Sequence, residues 1–169
     1  KYNFLKLVNT YISMKKKEKQ KHIDNSNIIN NKTLIEEAVK TNELYIVYDL
    51  LTKKNCICEQ LFYECNQLRE MTIPKSLKSI DKCSFYECKA LSRISIPSTV
   101  EIIGPYAFFG CDLLKEIAIP STVKFIGKSA FCDCKSLTEM IIPPMMTIIV
   151  ECCFYGCRSL SHVCIPSTI

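Results

Sequence analysis

The 169-residue sequence predicts a solenoid: short parallel strands stacked rung on rung, joined by tight turns or short 3₁₀ segments, with a helical hairpin at its N-terminal end. Three observations predict it. Residues 57–169 repeat with a fixed period of 23. Each unit contains one stretch of apolar–polar alternation that stops at proline. Ahead of the repeats lies a pair of apolar, helix-patterned runs.

The period is read from columns. Ile-Pro occurs at 73–74, 96–97, 119–120, 142–143 and 165–166; phenylalanine at 62, 85, 108, 131 and 154; cysteine at 65, 88, 111, 134 and 157; leucine at 68, 91, 114, 137 and 160. Isoleucine fills 80, 103, 126 and 149. Self-similarity of this kind marks a repeat architecture. In Leu91-Ser92-Arg93-Ile94-Ser95-Ile96 the apolar residues alternate with polar ones, the pattern of a half-buried strand. Pro97 has no N–H for a sheet ladder and ends it. The remainder carries apolar residues about three apart, such as Val100 and Ile103, then Phe108 and Cys111. That spacing suits turns better than a full helix. Gly104 and Gly127 follow the isoleucine column, where a turn is expected, but Asp81 and Val150 replace them, so left-handed backbone is not required there. One unit cannot offset the entropy of ordering its own chain, and stability must come from neighbours covering its open ends.

The unit resembles the BspA-like leucine-rich repeat, whose pattern centres on Ile-Pro, Ile-Gly, Ala-Phe, Cys and Leu. Ile119-Pro120-Ser121-Thr122-Val123, Ile126-Gly127, Ala130-Phe131, Cys134 and Leu137 carry the match. Pro143-Pro144-Met145-Met146 and Val150 depart from it. The resemblance implies a leucine-rich-repeat solenoid of about five units with its strands on a concave face. It also implies a protein-binding or adhesion module without enzymatic activity, of the kind found in surface proteins.

On that concave face the residues two and four beyond the column leucine point outward. The first set is Glu70, Arg93, Glu116, Glu139 and His162; the second is Thr72, Ser95, Ala118, Ile141 and Cys164. The first rungs are polar, whereas Ala118, Ile141 and Cys164 form a small apolar strip. Glu116 and Glu139 place like charges one rung apart, a mildly unfavourable arrangement. The expected contact is a protein segment that is both basic and apolar, and partner identity is not written in the chain.

Twelve cysteines invite other readings. The five-member column is expected to be small buried thiols at a cramped turn. Disulfides between rungs are disfavoured because stacked side chains point the same way. Cys56-Ile57-Cys58 and Cys132-Asp133-Cys134 have one-residue gaps, unlike the paired spacing of structural zinc sites, and His22 and His162 stand apart from any such pair. No metal or cofactor is expected, and a thiol-based metal or redox site stands only as a remote alternative. His162 and Cys164 share one strand face and are expected to be neighbours, but no orienting third group is evident for a cysteine nucleophile. Phosphate-cradling glycine loops and nucleophile elbows are missing, so neither an enzyme nor a small-molecule substrate is expected. A ladder of free thiols fits a reducing compartment, which favours an intracellular ankyrin/leucine-rich-repeat scaffold as the alternative to a surface protein.

The net charge is +5, with much of the positive charge between Lys15 and Lys21. That run lacks aromatic interleaving, and nucleic acid is not an expected partner. No apolar run approaches the ~18 residues that span a bilayer. Residues 1–32 are expected to be a basic, partly helical or flexible segment, with Tyr2 to Met14 apolar along roughly one helical face and an Asn-rich loop from Asp24 to Asn31. Residues 33–56 are expected to form the hairpin. Thr33 with Glu36 makes a capping box, Thr41-Asn42 the turn, and Leu44 to Leu51 the second helix. The pair is either a cap on the first rung or the last unit of an ankyrin-like array. The chain starts on Lys1 and stops on Ile169 in mid-pattern, so a fragment is expected at both ends, with an uncapped apolar C-terminal edge that favours self-association.

Overall fold

The computed structural model describes residues 35–41, 47–48, 51–52 and 56–169. The chain divides into two units, Lys1–Asn30 and Asn31–Ile169. The solenoid occupies the second unit.

Its rungs are built from short parallel strands. The alternating Leu-x-x-Ile-x-Ile stretch gives β2 (Glu70–Thr72), β4 (Arg93–Ser95), β7 (Glu139–Ile141) and β8 (His162–Cys164). β2 pairs with β4, and β7 with β8, with partners 23 residues apart such as Met71 with Ile94. Met71, Ile94 and Met140 turn inward and are buried, while the residues on either side are exposed. The third rung differs from expectation: Glu116–Ala118 adopts no strand, so this ladder is two two-stranded pieces.

A second sheet, not anticipated from the pattern, runs along the isoleucine column. β1 (Cys56–Ile57), β3 (Ser79–Ile80), β5 (Ile102–Ile103) and β6 (Phe125–Ile126) pair in that order. Two residues are too few for alternation to show. Between the two sheets lies the turn begun by the Ile-Pro motif. Val100 N–H donates to Pro97 O (3.1 Å), and the repeat holds at Val123 to Pro120 (3.0 Å). The motif's threonines tie one turn to the previous one: Thr99 Oγ1 donates to Leu77 O (2.8 Å) and Thr122 Oγ1 to Val100 O (2.9 Å).

The third side of each rung carries the Phe and Cys columns. It is a run of turns rather than a 3₁₀ helix, and the hydrogen bonds show why. Leu61, Tyr63 and Cys65 N–H donate three residues back, to Cys58, Gln60 and Phe62. The intervening Gln60, Phe62 and Glu64 instead donate across to the next rung, to Lys82, Ser84 and Tyr86 at 3.1, 2.8 and 2.7 Å. Alternate amides therefore face alternate ways. Left-handed residues allow this. Gln60, Cys83, Tyr106, Ser129 and Cys152 all have φ between 54° and 58°, and Glu64, Glu87, Gly110, Asp133 and Gly156 form a second positive-φ column four residues on. A non-glycine residue in this conformation costs about 1–2 kcal/mol. The inter-rung bonds that it enables exist only when rungs are stacked.

The core is a stack of identical side chains. Phe62, Phe85, Phe108 and Phe131 are fully buried, with parallel rings whose centroids lie 4.9, 5.2 and 5.4 Å apart. Gly104 and Gly127 have no left-handed backbone, as expected. They are needed for close approach instead. A Cβ on Gly104 would lie 2.7 Å from Lys82 N and 2.8 Å from Asp81 C.

Of the N-terminal region the structure describes a helix at 35–40, with Ile35, Ala38 and Val39 buried, and helical residues at 47–48 and 51–52, with Val47 and Leu51 buried. The expected hairpin is not supported beyond these pieces: Thr33, Asn42 of the turn and Leu44 to Ile46 lie outside the described residues. So do the capping box as a unit, the segment Tyr2 to Met14, the lysine run and the Asn-rich loop.

Candidate functional surface

Inward packing of Met71, Ile94, Ile117 and Met140 forces the flanking side chains outward, because successive strand residues face opposite sides. All ten residues expected on the concave face, Glu70, Thr72, Arg93, Ser95, Glu116, Ala118, Glu139, Ile141, His162 and Cys164, are exposed. Strand pairing sets Glu70 beside Arg93, Thr72 beside Ser95, Glu139 beside His162 and Ile141 beside Cys164.

The surface changes character along the stack. At its start Arg93 Nη1 lies 3.6 Å from Glu70 Oε2, with both side chains well exposed. Such a pair contributes little to stability and leaves the surface locally neutral. Further on, Ile141 is 63% exposed beside Cys164, a large apolar side chain left in water. Glu116 and Glu139 flank this strip, and among the described residues neither enters an ion pair. Cys164 Sγ lies 3.4 Å from His162 Nε2, so these two are neighbours as their spacing predicts.

The cysteine column has a role that residue size alone does not reveal. Cys88, Cys111, Cys134 and Cys157 each donate S–H to a phenylalanine carbonyl 26 residues earlier, on Phe62, Phe85, Phe108 and Phe131, at 2.9, 3.3, 3.1 and 3.0 Å. Burial pushes the Cys111 and Cys134 thiols well above the ordinary range and the half-buried Cys157 up to about 11. These sulfurs hold their protons and are poor nucleophiles. All twelve cysteines are unbridged. No group of three or more metal-ligating side chains converges among the described residues.

The second sheet exposes a feature that the repeat template concealed. Ile102, Phe125 and Ile148 occupy one column, just before the isoleucine column, and are 46%, 44% and 60% exposed. In Glu101-Ile102-Ile103 an outward and an inward apolar residue are adjacent, so neither stands out in the sequence. Lys124 Nζ, beside this column, bonds Glu101 Oε2 at 2.7 Å. No described helix is long and apolar enough to cross a membrane.

Comparison with known proteins bears on the same residues. The family described as "BspA type Leucine rich repeat region" matches residues 55–169 in six copies. Among solved structures, the chain is similar to a leucine-rich cell surface protein from Faecalibacterium prausnitzii A2-165: 31% identity, TM-score 0.64, covering 68% of this chain and 32% of that one. It is also similar to a leucine-rich repeat protein of T. pallidum: 26% identity, TM-score 0.54, covering 66% of this chain and 64% of that one. The chain thus spans just under two thirds of the T. pallidum chain and about a third of the F. prausnitzii one. No curated protein matches. The ankyrin-like reading of 33–55 finds no support, since the family match begins at residue 55. With 23-residue rungs, a proline-ended strand and stacked Phe and Cys columns, all within the matched span, this chain belongs to the BspA-type leucine-rich repeat family.

Proposed function

We propose that the chain is a non-enzymatic protein-binding module that engages its partner through the concave face, as part of a surface or adhesion-type protein. The observation that carries this reading is the exposed strip of Ala118, Ile141 and Cys164 bordered by Glu116 and Glu139. An apolar strip beside unpaired carboxylates complements a segment that is both basic and apolar. The F. prausnitzii structure, described as a cell surface protein, favours the surface role. The helical segment ahead of the rungs, with Ile35, Ala38, Val47 and Leu51 buried, suits a cap over the first rung.

The intracellular scaffold was favoured by the free thiols. Burial weakens that argument, because the column thiols from Cys65 to Cys134 are shielded from oxidant in either compartment. The compartment is better read from the exposed Cys152 and Cys164 and the half-buried Cys56, Cys58 and Cys157 in protein taken from its native source.

The binding reading is tested by selecting peptides from a displayed random library on the chain, then comparing two variants. Ile141→Arg with Glu116→Lys should abolish binding of the selected basic-apolar peptides, while Phe125→Glu on the other sheet should leave it intact. Binding should also weaken as salt is raised. Equal binding to the I141R/E116K variant would exclude the concave face.

A further inference from the structure

Cys56 and Cys58 stand apart from the column thiols. Ile57 between them is fully buried, and Cys56 on β1 and Cys58 just beyond it are both half-buried. Their sulfurs lie 3.8 Å apart. Residues two apart on a strand have Cα atoms about 6.6 Å apart, at the upper end of what a disulfide spans. The Cys56 thiol also faces the Asp81 carboxylate, whose position is fixed by a hydrogen bond from Ser79 Oγ to Oδ1 at 2.8 Å. β1 pairs with β3 in register, Cys56 against Ser79, and Asp81 N–H donates to Ile57 O at 2.9 Å, so the acceptor and both thiols belong to one hydrogen-bonded unit.

We propose that Cys56 and Cys58 form a dithiol exchange site that takes a small disulfide of the glutathione class and closes to an intrachain disulfide, with Asp81 accepting the Cys56 proton. Cys58 opens the reaction and Cys56 closes it. The Cys58 thiolate attacks one sulfur of the small disulfide; a mixed disulfide forms and the first small thiol leaves with the proton that Cys58 gave up. Cys56 then passes its proton to Asp81 and attacks the Cys58 sulfur. The second small thiol departs and takes that proton from Asp81. Two thiols of the chain are oxidised, one small disulfide is reduced to two small thiols, and nothing else is consumed. Burial, then Asp81 and Cys58, push the Cys56 thiol up to about 12, consistent with a sulfur that attacks only after a partner removes its proton. The bridge must bend the strand, so it forms under oxidising conditions and reopens readily.

The test uses the folded, fully reduced chain carrying Cys152→Ser and Cys164→Ser, which removes the exposed thiols. It is treated with glutathione disulfide, blocked with N-ethylmaleimide and mapped by peptide mass spectrometry. The expected product is a peptide containing Cys56 and Cys58 that has lost two hydrogens and carries no glutathione. Cys56→Ser should stop at one glutathione on Cys58. Asp81→Asn should leave the first step unchanged and prolong the mixed disulfide about 10-fold, the order of effect of losing a general base. A native pair that stays alkylated, or that retains glutathione, overturns the proposal. An unchanged lifetime in D81N overturns the role given to Asp81.

Discussion

The thiol of Cys88 donates a hydrogen bond to the carbonyl oxygen of Phe62, 2.9 Å away and 26 residues earlier. The same bond recurs on the next three rungs, so four of the five column cysteines, Cys88 to Cys157, each fasten their rung to the one before it. The column is therefore defined by a donor as well as by small size.

Cys111→Ala removes that donor and leaves a small void at a fully buried site. The expected loss is about 1–2 kcal/mol. Cys157→Ala, at a half-buried site on the last stacked turn, should cost less than half as much. Urea denaturation of the two variants beside the parent checks the order.

Alkaline pH should destabilise the fold before its lysines titrate. Burial raises the folded pKa of Cys111 and Cys134 well above the ordinary 9.0, of Cys153 to about 12 and of Cys157 to about 11. The native state therefore holds these protons more tightly than the unfolded chain. The stabilisation is fully present below pH 9 and is lost as pH rises from there through the folded values. Each buried thiol contributes a slope of up to about 1.4 kcal/mol per pH unit. Denaturation midpoints at about pH 8, 9.5 and 10.5 should fall in that order. Cys111→Ala with Cys134→Ala should flatten the decline.

Gly104→Ala should be worse than Gly110→Ala. The added Cβ at 104 meets the backbone of Asp81 and Lys82, which cannot move without disturbing the second sheet. A cost of about 2–3 kcal/mol is expected. At Gly110 the strain comes from φ of +67°, and the nearest atom is Glu87 Cγ at 3.1 Å, on a flexible side chain. About 1 kcal/mol is expected there. Thermal melts of both variants give the comparison.

Phe108→Ala should unfold the middle of the stack. Its ring is fully buried between those of Phe85 and Phe131, at 5.2 and 5.4 Å. The expected cost is about 3–5 kcal/mol. Phe154→Ala, where the ring is half-buried and 6.1 Å from Phe131, should cost clearly less. Hydrogen exchange should show lost protection centred on residue 108 and spreading to both adjoining rungs.

The sequence by itself determined the period, four of the five strands of the alternating stretch, the inward columns and the ten exposed positions beside them. All of these follow from side-chain patterns a few residues long, which local polarity encodes. The tertiary structure alone decided the rest. The second sheet has two residues per strand, too short for a pattern, and its partners lie 23 residues away. The left-handed column holds Gln60, Cys83, Tyr106, Ser129 and Cys152, residue types with no shared turn preference, because contacts with the next rung impose the conformation. The thiol-to-carbonyl bonds, the break at Glu116–Ala118 and the exposed column of Ile102, Phe125 and Ile148 likewise arise from stacking. In a solenoid the hydrogen bonds that choose the backbone are made one full turn away, where no local propensity reaches.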